Sequence, residues 1–173
     1  MRRLLLLGLI GLGVAAGALA RGSKNFDMSS YTSKKPAEAG KAFLELARSQ
    51  AGKGSWENLA VGRVYYLGGM KAQGQAIFDQ VTSKKAVDSD LIRIARVHNE
   101  AGEWSKAKEA YDKALSLAPK DAAWLAEAGA AYNLHGDRAK AEELFKRSMD
   151  AEGGEVWHTV NIAGSYLGVK PQL

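Results

Sequence analysis

From Ser55 onward, small, aromatic and apolar residues return in step every 33 or 34 positions. Gly62, Ala95, Gly129 and Ala163 form a column of small residues, and Tyr65, His98, Tyr132 and Tyr166 follow three places later. Gly69, Gly102 and Gly136 keep the same intervals, as do Gly74, Ala107 and Ala141. Phe78, Tyr111 and Phe145 make a further column, and Val81, Ala114 and Ser148 another. A small residue with an aromatic three places on occupies a single helix face. The glycine four residues after the aromatic marks a turn, because left-handed backbone is cheap only for glycine. A second helix then carries the remaining columns. Asp137 is placed to cap one such helix, and Glu103 brings negative charge to the start of its counterpart.

Upstream, Pro36 opens a helical run to Ala51 with Ala39, Phe43, Leu46 and Ala47 on one face, and Gly52-Lys53-Gly54 ends it. The prolines at 36, 119 and 171 all fall at proposed element boundaries. Strand alternation and an Asn-Gly hairpin pair are missing from the sequence, so the chain is expected to be all-α.

Two units, Asp88 to Asp121 and Ala122 to Glu155, resemble tetratricopeptide repeats. The matching residues are Leu91, Ala95, Gly102, Ala107, Tyr111, Ala114, Leu115 and Pro119 in the first, then Leu125, Gly129, Tyr132, Gly136, Ala141 and Phe145 in the second. A weaker unit from Ser55 to Val87 carries Gly62, Tyr65, Gly69 and Phe78, and Val156 to Gly168 is similar to a first helix without its partner. The departures are Gly153-Gly154 in place of a closing proline, Gly74 in place of an alanine, and His98 in the aromatic column.

The resemblance implies a right-handed superhelix of antiparallel helix pairs, stacked because no pair can bury its apolar face alone. The chain divides into an export segment (1–20), a flexible leader (21–35) and an N-terminal helix (36–54). Three repeats follow (55–87, 88–121 and 122–155), then a capping helix and tail (156–173). A cap needs a polar outer side, and His158, Asn161 and Ser165 form a polar stripe opposite Trp157, Val160 and Tyr166.

The N-terminus changes the picture of location. Arg2-Arg3 precedes an uncharged run from Leu4 to Ala20, about 25 Å long as a helix against roughly 30 Å for a bilayer core. With Ala18-Leu19-Ala20 at its end, this is the layout of a secretory signal cleaved before Arg21, which implies a periplasmic or secreted protein. Arg21 and Lys24 directly after the run point to the alternative, an uncleaved anchor and a membrane-tethered assembly scaffold. Removing residues 1–20 lowers the formal net charge from +5 to +3, too mild for a nucleic-acid partner on bulk charge. Basic and acidic residues are interspersed, as on solvated helix faces.

Candidate chemistry is sparse. The 173 residues include no cysteine, so disulfides and thiolate metal sites are excluded. His98, His135 and His158 are widely spaced, with no H-E-x-x-H pattern, and His98 is expected to pack with one nitrogen hydrogen-bonded. Nucleophile-elbow and Walker signatures are missing from the sequence. No cofactor, no metal and no enzymatic activity are expected.

What the resemblance offers instead is a concave groove lined by the first helices, receiving a peptide or protein partner. Its candidate residues are Trp56, Leu59, Arg63 and Tyr66 from the first unit and Ile92, Arg96 and Asn99 from the second. Ala126, Ala130 and Asn133 come from the third, and Trp157 and Val160 from the last helix. Arg63 and Arg96 are 33 apart, and Asn99 and Asn133 are 34 apart, so each pair should stack across neighbouring repeats. Two arginines beside amides and aromatics suit an acidic or carboxylate-bearing peptide. The alternative is that the arginines are paired with acids of the chain itself.

Overall fold

A computed structural model describes residues 27–171. The helices of the described residues are α1 (Ser29–Thr32), α2 (Pro36–Ala51), α3 (Ser55–Leu67), α4 (Lys71–Thr82) and α5 (Asp88–Glu100). They continue with α6 (Trp104–Leu117), α7 (Ala122–Leu134), α8 (Arg138–Glu152) and α9 (Val156–Tyr166). α3 packs on α4, α5 on α6 and α7 on α8 as antiparallel pairs, while α9 lies along α7.

The turn inside each pair is the same. Gly69, Gly102 and Gly136 have φ of 86°, 74° and 88°. The next residue's N–H closes the helix end, Met70 to Tyr65 O, Glu103 to His98 O and Asp137 to Tyr132 O, at 2.9 to 3.0 Å. The acids at the helix starts differ in use. Asp137 caps α8 by accepting from Lys140 N at 3.1 Å, and Asp121 caps α7 by accepting from Trp124 N at 2.9 Å. Glu103 makes no such cap; its carboxylate accepts from Lys71, Lys106 and Tyr66 instead, tying α3 and α4 to α6.

The small columns are where helices touch. A Cβ added at Gly62 would stand 2.6 Å from Phe78, and one at Gly129 2.6 Å from Phe145. At Gly74 it would stand 2.7 Å from the backbone oxygen of Gly62, so even the alanine usual in this column would not fit. The core runs through α3 to α8 around Tyr66, Phe78, Ile92, Tyr111, Leu125, Tyr132 and Leu144. A smaller cluster of Val61, Tyr65 and Ile77 receives Leu44 and Ala47 of α2, which buries none of its own residues fully.

Three expectations are corrected. The apolar segment 1–20 lies outside the described residues, and among the described residues no helix is long and apolar enough to cross a membrane. The fold class of the described residues is therefore an all-α stack of antiparallel helix pairs of solenoid type, with no apolar membrane-length helix among them, and membrane attachment through such a helix is dropped. The leader is not wholly irregular: Asp27 accepts from Ser29 N, α1 forms one turn, and Tyr31 stacks on Phe43 of α2 at 4.6 Å.

The last helix is turned the other way round. His158 and Ser165 face α7 and are buried, while Trp157 is 65% exposed and Val160 and Tyr166 are also exposed. α7 presents alanines such as Ala126 and Ala130, both fully buried, and this flat surface admits short polar groups at close range. Ser165 Oγ accepts from Asn133 Nδ2 at 3.0 Å and donates to Ile162 O, so its burial leaves no polar atom unsatisfied.

Candidate functional site

α3, α5, α7 and α9 present one face of the stack, and the side chains between them are tied by charge. Arg63 Nε and Nη2 donate to Glu100 at 2.9 and 2.5 Å, with both side chains near 40% exposed. Arg96 Nε and Nη2 donate to Glu127 at 2.7 and 2.6 Å, with Glu127 only 6% exposed. The hydrogen-bonded Glu127 carboxylate raises the Arg96 pKa above its usual value, against the opposing effect of burial. Burial, and then the charge of Glu127, push the Tyr111 phenol strongly upward; its hydroxyl stands 3.4 Å from Glu127.

Both guanidinium groups are thus occupied by a carboxylate of the following repeat. A carboxylate-bearing peptide would have to displace Glu100 or Glu127, so the preference for an acidic partner is not retained. The signal was present in the sequence: Glu100 lies 37 residues after Arg63 and Glu127 31 after Arg96. Each is one repeat plus or minus three residues, a single helical step across the seam.

The other candidates divide into three groups. Tyr66 and Ile92 are core residues, 1% and 0% exposed; Tyr66 reaches the surface only through its hydroxyl, which donates to Glu103. The asparagines are used between repeats rather than stacked on each other. Asn99 Oδ1 lies 2.7 Å from His135 Nε2, whose ring stacks on Trp104 at 4.1 Å, and Asn133 binds Ser165. Trp56 and Trp157 remain open, at 58% and 65% exposure.

Three cavities lie along this face. Trp56, Leu59, Arg63 and Arg96 share one of about 200 Å³, where Arg93 lays its guanidinium 3.8 Å from the Trp56 ring centre. Arg96, Asn99, Glu100, Tyr111 and Glu127 line the second, about 350 Å³. Trp157, Val160, Asn161 and Gly164 line the third, about 340 Å³. Arg93, Glu100, Tyr111 and Glu127 line these cavities without being groove candidates from the sequence, as do Lys170 and Pro171, which line both larger ones.

The opposite side carries a cavity of about 390 Å³ between α4 and α6, floored by Phe78, Leu91, Ile94 and His98. His98 is buried with Nδ1 lacking a hydrogen-bond partner, contrary to the expectation of a bonded nitrogen. It meets Tyr66 and Phe78 edge-on instead. Among the described residues no group of three His, Asp or Glu side chains could hold a metal ion.

Residues 91–121, the α5–α6 pair, match the family model described as a tetratricopeptide repeat. No curated protein matches the chain. The match covers one helix pair of the chain and marks that pair as a tetratricopeptide-type repeat; repeats of this type are protein-interaction scaffolds without catalytic activity.

Proposed function

We propose that this protein is a docking module whose partner, an extended peptide or a helix of another protein, lies along the face formed by α3, α5, α7 and α9. The observation that carries the reading is the pair of open indoles, Trp56 and Trp157, at the two ends of that face. Each borders a cavity. Exposed tryptophans beside pockets are the side chains that most often dominate binding energy, because they bury a large apolar area with few rotors to fix. Between them Arg63 and Arg96 are already neutralised by Glu100 and Glu127, so the indoles rather than these arginines supply the anchors.

The test is capture from native extract by the wild-type chain, by Trp56→Ala with Trp157→Ala, and by Lys113→Ala on the opposite side. Two anchors of about 2 kcal/mol each would weaken capture by well over tenfold in the tryptophan variant alone, with helix content unchanged. Equal capture by all three chains sinks the reading. Periplasmic or secreted location is proposed on the pattern of residues 1–20 only. Intact mass of the native protein decides it, with a chain beginning at Arg21 in favour and one beginning at Met1 against.

A further inference from the structure

α9 ends in the turn already seen three times within the helix pairs. Gly168 has φ 77°, and Val169 N–H donates to Gly164 O at 2.8 Å. In α3, α5 and α7 that turn leads into a second helix; after α9 the chain continues without one through Pro171. The segment lies against Gly164: a Cβ there would stand 3.4 Å from Val169 O and 3.7 Å from Val169 Cβ, at ordinary contact distance. Lys170 and Pro171 then border both larger cavities, with Arg96, Asn99 and Glu127 on one side and Trp157 and Val160 on the other. The Lys170 charge is felt at His135, where, after burial, it helps to lower the imidazole pKa.

We propose that Val169–Pro171 is a built-in occupant of the first-helix face, crossing it between α5 and α9, and that a partner enters by displacing it. The inference rests on the docking reading above. The holding contacts suit a displaceable strap. Among the described residues the segment is fixed by the one backbone hydrogen bond of the turn, and neither Lys170 nor Pro171 makes a hydrogen bond or ion pair with the face it crosses. Being part of the same chain, it competes at the high effective concentration of a short tether, so weak contacts suffice to keep it seated. A partner must supply more than the strap does, and the open indole of Trp157 beside it is where that surplus is available.

The experiment compares amide spectra of the full chain, of Gly168→Val, and of Lys170→Gly with Pro171→Gly. A side chain at Gly168 meets open space, so Gly168→Val acts only by forbidding the positive φ of the turn. The double substitution keeps the turn and removes the two side chains from the cavities. The probe is a synthetic peptide of residues 166–173 added in trans. With the strap seated as proposed, Asn99, Glu127 and Trp157 amides shift in both variants, and the peptide binds both at least tenfold more tightly than it binds the unaltered chain. Identical amide positions and identical peptide affinity in all three chains overturn the inference. Because the spectra report seating without any partner, this failure is distinct from failed docking, which is read from the tryptophan variants.

Discussion

His98 shows most clearly how one residue can depart from its column and leave a measurable trace. It sits where the other units have tyrosine, buried against Tyr66 and Phe78. Burial holds its pKa below the ordinary 6.5, helped by the Lys106 charge and opposed by Glu103, Asp79 and Glu109. A folded-state pKa below the unfolded one means that, as pH falls under about 6.5, the unfolded chain takes up a proton the folded chain refuses. Stability from this group is therefore complete above that pH and declines below it. His98→Phe should flatten the part of the stability–pH profile just under 6.5, as measured by urea unfolding at a series of pH values. A profile unchanged by the substitution refutes the assignment. Glu103 acts in a more acid range: hydrogen bonds from Lys106, then Lys71 and Tyr66, depress its pKa from 4.5 to about 2, so its contribution is complete above about 4.5 and is lost progressively as pH falls toward 2.

At the scale of elements, each helix pair is built from local chemistry: a glycine that reverses the chain, a small residue at the crossing and, except at α4 where Met70 stands, an acid at the next helix start. The acid has two uses here. Asp121 and Asp137 satisfy free N–H groups of α7 and α8, whereas Glu103 leaves α6 uncapped and binds Lys71 and Tyr66 of the neighbouring pair and Lys106 of its own helix. Asp121→Ala should cost about 1 kcal/mol of unfolding free energy, seen as a lower urea midpoint at unchanged slope. Loss of that size follows from one helix N–H left without its acceptor. The same helix start is also tied to α5, since the Trp124 indole N–H donates to Asp88 at 2.8 Å.

Across the whole molecule, neighbouring pairs are joined by α3 on α5, α6 on α7 and α7 on α9, and Arg96–Glu127 is the most enclosed ion pair between repeats. An exposed pair such as Arg63–Glu100 is worth under about 1 kcal/mol. Breaking the enclosed pair is different, because it strands a guanidinium that has little water to turn to. Glu127→Gln should destabilise the fold by about 3 kcal/mol, near the lower end for buried pairs since Arg96 is only four-fifths covered. Replacing both residues by apolar ones of similar size should recover much of that loss. Chemical unfolding of the single and double variants checks both statements, and a double variant as unstable as the single would remove the electrostatic explanation.

The sequence by itself determined what depends on neighbours within a turn or two of helix. The all-α content, the reversals at Gly69, Gly102 and Gly136, and the need for small residues at Gly62 and Gly129 follow from period and steric rules that act locally. The tertiary structure alone decided which acid each arginine meets, and a repeat period fixes that only to within one helical step in either direction. It also sent Tyr66 and Ile92 inward, and it turned the polar side of α9 onto α7. It placed Lys170 and Pro171 between two cavities as well. In each of these the deciding neighbour belongs to another helix, and its distance is set by how closely small side chains let two backbones approach.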